Sequence, residues 1–301
     1  MRSIAETDEG AAMSLLRLSR LVSVLTLLAS IEIGLPLAFA QPFTLVPLDI
    51  PGATLVTPFG INDQGHVVGM YRDVRIHGFL FVEGSTTTID VPGSQLTFAT
   101  GINNSGQIIG TYQDATGIFH GFLLSQGLFT TLDFPGAGFT EPRGLNDRGD
   151  IVGRYSDAQT AEHGFFFRDG QFTTIDFPGA LTHALGINNA GHVVGRYSDD
   201  SGNHGFLRIG GIFTTIDPPG SVFTEANGIN DGGEIVGAYF DAGGSRHGFL
   251  LSANGEFVTI DVDFPEAFFT TVFGINNPGL IVGAYFLPGL PQQGFIGTPA
   301  K

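Results

Sequence analysis

GLNDRGDIVGRYSDAQTAEHGFFFRDGQFTTIDFPG, residues 144–179, contains the pattern from which the fold is read. With the residues just before it, the stretch divides into four short strands: FTEPRGLN (139–146), DIVGRYSD (150–157), HGFFFRDG (163–170) and QFTTIDF (171–177). Asn146-Asp147-Arg148-Gly149 is a tight-turn signal between the first two, and Asp169-Gly170 another between the last two. Pro178-Gly179 ends the fourth strand and turns the chain onward. Four strands of about six residues and four connections of about four use roughly 40 residues.

The same unit recurs along the chain. Its GIN/GLN glycine falls at Gly60, Gly101, Gly144, Gly186, Gly228 and Gly274, spaced by 41, 43, 42, 42 and 46 residues. A TTID-x-PG block places Asp at 49, 90, 133, 176, 217 and 261, and HGF begins at His77, His120, His163, His204 and His247. The sixth copy has Gln293-Gly294-Phe295 instead. No helical apolar stripe appears outside the N-terminal segment. Six units of these dimensions predict an all-β, six-bladed β-propeller of four-stranded blades occupying 41–301 as a single domain. The array opens on a spare fourth-type strand, FTLVPLDI (43–50), and closes on a third-type strand, GFIG (294–297). The N-terminal strand is therefore expected to complete the last blade, leaving no unpaired edge at the seam. Two tandem β-trefoils and an open β-solenoid fit the period less well; a trefoil boundary should interrupt the array near residue 170, and none is visible.

Composition narrows the function classes. The 301 residues include 45 Gly and 28 Phe, only 14% charged residues and no Cys, with a net charge of −16. Disulfide scaffolds, Cys-based zinc sites and Cys nucleophiles are excluded. An acidic chain with so few cations is a poor partner for nucleic acid. Residues 14–40 read as a signal peptide, with Arg17 and Arg20 before the apolar run Leu21–Ala29, then Ala38-Phe39-Ala40 as the cleavage signal. Met13 is the expected true start, because Met1–Ala12 carries Glu6, Asp8 and Glu9. Residues 1–40 are thus assigned to the signal peptide, and the mature protein is expected to be secreted, extracellular or periplasmic. No span of membrane length is expected in it.

GINDQGHVVGMY, GINNSGQIIGTY and GINNAGHVVGRY, each followed by HGF, resemble the HAF-type extracellular repeats of bacteria. The resemblance covers the whole mature chain. It departs in having Gly after His where that family commonly has Ala, and in lacking Trp after the apolar pair. It implies a secreted or surface-associated bacterial protein with no assigned activity. GFIGTPAK contains no sorting segment of the kind that ends some members.

A residue present in every copy is scaffold before it is site. His77, His120, His163, His204 and His247 are read as hydrogen-bonding struts, and the TTID aspartates as acceptors in the turns. The mid-strand Gly69, Gly110, Gly153, Gly195, Gly237 and Gly283 are expected to permit close approach to the next blade. Function is sought where the copies disagree. Three residues before the GIN glycine the copies read Thr57, Phe98, Glu141, His183, Glu225 and Thr271; one before it, Phe59, Thr100, Arg143, Leu185, Asn227 and Phe273. If the first strand is innermost, Glu141, Arg143, His183, Glu225 and Asn227 form a polar crescent at the channel mouth, a candidate ligand site. Arg154 and Arg196 occupy equivalent positions that balance carboxylates or line the same face. No catalytic motif, cofactor or metal site is indicated. The leading expectation is a monomeric, secreted, non-catalytic binding module for glycan, peptide or a surface protein. The alternatives are a metal-dependent hydrolase or lactonase using Glu141, His183 and Glu225, and a ligand-free component of the envelope or matrix.

Overall fold

A computed structural model describes residues 43–263 and 267–300. The expected signal peptide and the start at Met13 lie outside the described residues. Twenty-four strands are present among those described. In the quoted copy they run Phe139–Leu145, Ile151–Ser156, Glu162–Arg168 and Gln171–Ile175, each antiparallel to the one before. The turn after the first strand is built by Asn146. Its Oδ1 accepts the N–H of Arg148 at 3.0 Å and of Asp150 at 2.9 Å, while Gly149 adopts φ +81°.

The chain is an all-β propeller of four-stranded blades. Its end is stitched to its beginning by Phe43–Leu48, which lies antiparallel along Gln293–Pro299 from Phe43↔Pro299 to Leu48↔Gly294. Hydrogen bonding does not divide the strands into six separate sheets, as expected, but into four sheets of four strands and one of eight. The eight-stranded sheet arises from a single parallel bridge, Asn203↔Phe223. It joins Gly202–Ile209 to Ser221–Ile229 at Phe223, the position that Phe139 holds in the quoted copy. On either side of the bridge, the strands pair as in the other copies.

Apolar packing lies between successive copies. One cluster joins Val68 and Ile89 of the first copy to Ala99, Ile108 and Phe122 of the second; another joins Val282 near the C-terminus to Val56, Val67 and Phe79. The HGF phenylalanines are its largest fully buried members. The mid-strand glycines serve these rings rather than a neighbouring blade, which corrects the expectation. A Cβ on Gly153 would lie 2.2 Å from Glu141 O and 2.7 Å from the Phe165 ring, both of the same blade. It is the GIN glycines that bring copies together: a Cβ on Gly144 would lie 3.0 Å from Gly186 Cα.

Two hydrogen-bonded rings close the propeller at one end of its channel. Asn62, Asn103, Asn146, Asn188, Asn230 and Asn276 each donate Nδ2–H to the backbone carbonyl of the next in line, at 2.9–3.3 Å, and Asn276 returns to Asn62. Their neighbours alternate acid and amide: Asp63, Asn104, Asp147, Asn189, Asp231, Asn277. Each backbone N–H is donated to the next residue's Oδ1 at 2.8–2.9 Å. Each Asn also divides its Nδ2 hydrogens between the carboxylates on its two sides, at 2.8–3.0 Å. Every carboxylate thus faces donors, and none faces another carboxylate.

Candidate functional site

The first strand of each copy walls the channel, as the location of the polar crescent required. In all six copies the strand register slips between the residue two before the GIN/GLN glycine and the glycine itself. The bulged residue leaves the ladder and is re-aimed inward. Phe59, Thr100, Arg143, Leu185, Asn227 and Phe273 consequently form a collar around a cavity of about 30 Å³. That volume admits a water or two and nothing larger. Below it, the aliphatic residue and Asn of each copy, with the acid–amide ring, enclose about 90 Å³. Within the channel, a ligand of sugar size is therefore confined to the mouth above the collar.

Of the five sequence candidates, Glu141, Arg143 and His183 join one network above the collar, through Arg154 and Glu162. Glu141 accepts from Arg143 at 3.1 Å and from Arg154 Nε at 2.6 Å, and Arg154 donates onward to Glu162 at 2.8 Å. Glu162 also hydrogen-bonds His183 Nε2, and Arg246 pairs with Glu225. Asn227 does not join this network; its Nδ2 is spent on Val272 O at 2.9 Å. Arg196 meets Asn203 Oδ1 at 3.0 Å. Phenyl rings back the guanidiniums: Arg154 lies 5.2 Å from Phe139, Arg196 5.9 Å from Phe223 and Arg246 5.4 Å from Phe240. The opposite side presents Phe59 edge-on to Phe273, with centroids 5.3 Å apart.

The electrostatics reflect a surplus of positive charge. Burial, then Arg196 and Arg154, push the His183 pKa down to about 4 despite its bond to Glu162, so it is neutral at pH 7. Burial also lowers Arg196, and Arg154 and Arg143 add to the effect against Glu225 and Glu162. Burial would raise Glu141 and Glu162, but the adjoining arginines hold both below the usual carboxylate range.

The metal-site trio does not assemble. Glu141 is engaged by Arg143 and Arg154, Glu225 by Arg246 and His183 by Glu162. Among the described residues, no group of three or more His, Asp or Glu side chains is arranged to hold a metal ion.

The HGF histidines sit within their blades. Each Nδ1 bonds the TTID aspartate of the adjoining strand at 2.7–2.9 Å: His77 to Asp90, His120 to Asp133, His163 to Asp176, His204 to Asp217 and His247 to Asp261. Each ring also stacks on the tyrosine of the second strand at 5.0–5.3 Å, and the tyrosine hydroxyl pairs with a TTID threonine. The aspartates therefore bind a side chain as well as backbone, as when Asp133 also accepts Gly121 N–H at 3.2 Å.

Glu162, Asn203 and Arg246 complete the mouth and were not among the sequence candidates. They precede the HGF His in their copies, where the first, second and sixth copies have Ile76, Phe119 and Gln292. The signal was the one used for the first strand, disagreement between copies, applied to a third-strand position.

No family model matches the chain, and no curated protein sequence matches it. Solved structures do. A catalytically inactive virginiamycin B lyase from Staphylococcus aureus with quinupristin is 12% identical, with 85% of this chain and 99% of that chain covered and a TM-score of 0.50. TolB from Acinetobacter baumannii is 10% identical over 77% of this chain and 63% of that one, with a TM-score of 0.54. A candidate gluconolactonase is 14% identical over 86% and 93%, with a TM-score of 0.51. At these identities the likeness is one of fold alone.

Proposed function

We propose that the chain is an exported, non-catalytic binding module whose ligand sits at the channel mouth. The eight-stranded sheet counts as two blades in this reading, giving six, because its halves pair internally like the other copies and share one bridge. The observation that carries the reading is where the copies diverge. Turn asparagines, strand glycines and HGF phenylalanines recur around the ring, whereas the unlike residues Glu141, Arg143, Arg154, Glu162, His183, Arg196, Glu225 and Arg246 gather at one mouth. A scaffold needs no such cluster. Glycan, peptide and a surface protein are the candidate ligands. The resemblance to HAF-type repeats and the N-terminal residues 14–40 favour export, and recovery of protein beginning at Gln41 from periplasm or medium is the expected result.

A metal-dependent hydrolase would need Glu141, His183 and Glu225 directed at one cation, and each already has another partner. Binding to glycan and peptide arrays by the full chain, compared with a Glu225→Ala/Arg246→Ala variant, tests the module. Ligand bound by the wild type and lost in the variant is expected. Equal binding by both, or none by the wild type, refutes a site at this mouth.

A further inference from the structure

The mouth has one cation more than its acids can match. Four guanidiniums, Arg143, Arg154, Arg196 and Arg246, face three carboxylates, Glu141, Glu162 and Glu225, within a chain of net charge −16. Three of the guanidiniums lie within 3.1 Å of a carboxylate. Arg196 is the exception: its single hydrogen-bond partner is the neutral Asn203 side chain, which leaves most of its five N–H donors unused. It is half-buried, and Arg154 and Arg143 oppose the attraction of the more distant Glu225 and Glu162, neither of which hydrogen-bonds it. A partly desolvated cation with no carboxylate hydrogen-bonded to it costs stability, and an anion bound on its free edge would offset that cost.

The surroundings define the rest of that ligand. Arg196 lies over Phe223, and Phe223 meets Phe240 edge to face with centroids 5.5 Å apart. Phe240 continues to Phe269 at 6.1 Å, and Phe269 to Phe268 at 4.9 Å. Phe268 and Phe269 are 44% and 36% exposed, large apolar side chains left in solvent at the rim. Phe269 holds φ +56°, an uncommon conformation for a bulky residue, and it is this bulged segment that carries the rim phenyls.

We propose that the mouth takes a small ring carboxylate, its carboxylate on the unused edge of Arg196 and an apolar ring face, the C–H face of a pyranose or the face of an aryl ring, against Phe223 and Phe240. This rests on the mouth being the binding site. A uronic acid and an aryl carboxylate share this chemistry, and the two are separated by test.

The full chain is titrated with D-glucuronate and with benzoate, each beside its neutral counterpart, methyl glucoside and benzamide, by ligand-observed NMR or calorimetry. One acid is expected to bind, about tenfold or more tighter than its counterpart, as a charge-assisted pair requires. Arg196→Gln should lose about tenfold in affinity for that acid, Phe223→Ala should weaken both members of the pair, and Arg208→Gln, whose guanidinium lies over Phe213 of the outer strand at 5.7 Å, should change neither. Bound acid should also raise the His183 pKa from about 4 by offsetting Arg196 and Arg154, with Glu141 and Glu162 unchanged beside it. Equal binding of acid and neutral counterpart, or unchanged affinity in Arg196→Gln, overturns the inference and leaves the mouth as a site for neutral ligands. Absence of binding by all four probes overturns the inference, while array ligands lost in the Glu225→Ala/Arg246→Ala variant would still support the binding module.

Discussion

Replacing Asn189 by Asp places a third carboxylate between Asp147 and Asp231 in the acid–amide ring. Asn189 now donates one Nδ2 hydrogen to each of them at 2.8 Å, and its Oδ1 accepts the backbone N–H of Asp147. An aspartate keeps the accepted bond and loses both donated ones. The ring faces solvent, so each lost bond is discounted to about 1 kcal/mol. Two new like-charge contacts add about 1 kcal/mol each at high dielectric. The total is about 4 kcal/mol, or a fall of roughly 8–16 °C in Tm for a domain of this size. Circular dichroism melts at pH 7 and low salt measure it, and added salt should recover part of the charge term. The decisive variant is Asn189→Asp with Asp231→Asn. An isolated pair would be restored by exchanging its partners. In an alternating ring, the exchange leaves Asp147 facing an acid and Asn277 facing an amide, so stability should not recover. A double variant that melts like the wild type would refute cooperative closure, as would a single variant with unchanged Tm.

The inter-blade core makes a second prediction: Phe165→Ala should cost about 3–5 kcal/mol in chemical denaturation, because the ring is fully buried. Gly153→Ala should also destabilise, since its Cβ has no room beside Glu141 O and that ring. Asp150 is 3% exposed and held by Arg168 through two 2.6 Å bonds, which keep its pKa low. Arg168→Ala should destabilise the fold and raise the pH of acid unfolding, because it strips the buried Asp150 carboxylate of the guanidinium that holds its pKa low. In His120 and His163, burial lowers the pKa but the paired aspartates raise it further, to a net rise. Their contribution is full below about pH 6.5 and is lost as pH rises through the raised values. His163→Gln should therefore flatten the stability profile on that side of neutrality in denaturant titrations. His183 acts oppositely. Its depressed pKa favours the fold above about pH 6.5, and that contribution is lost as pH falls through about 4.

The strands of the quoted copy were legible to within two residues at their ends, because turn residues and alternating apolar residues are local signals. Strand 139–146 ends at Leu145, and strand 171–177 ends at Ile175. The mid-strand glycines were misassigned for the opposite reason. Their constraint comes from the HGF phenylalanine one strand away, and repetition along a chain does not tell which neighbour a glycine approaches. The eight-stranded sheet was likewise hidden, since it depends on one bridge between strands of neighbouring copies.

The repeat, its four strands, the ring-closing role of 43–50 and the strand face that carries the variable residues all follow from periodicity and short-range turn chemistry. Which of those residues meet is a matter of how the blades pack. Asn227 turned to a backbone carbonyl, Glu162 and Arg246 arrived from the third strand, and Arg196 was left without a carboxylate. Charge pairing depends on distances of a few ångströms between different blades, and the spacing of residues along the chain does not contain them.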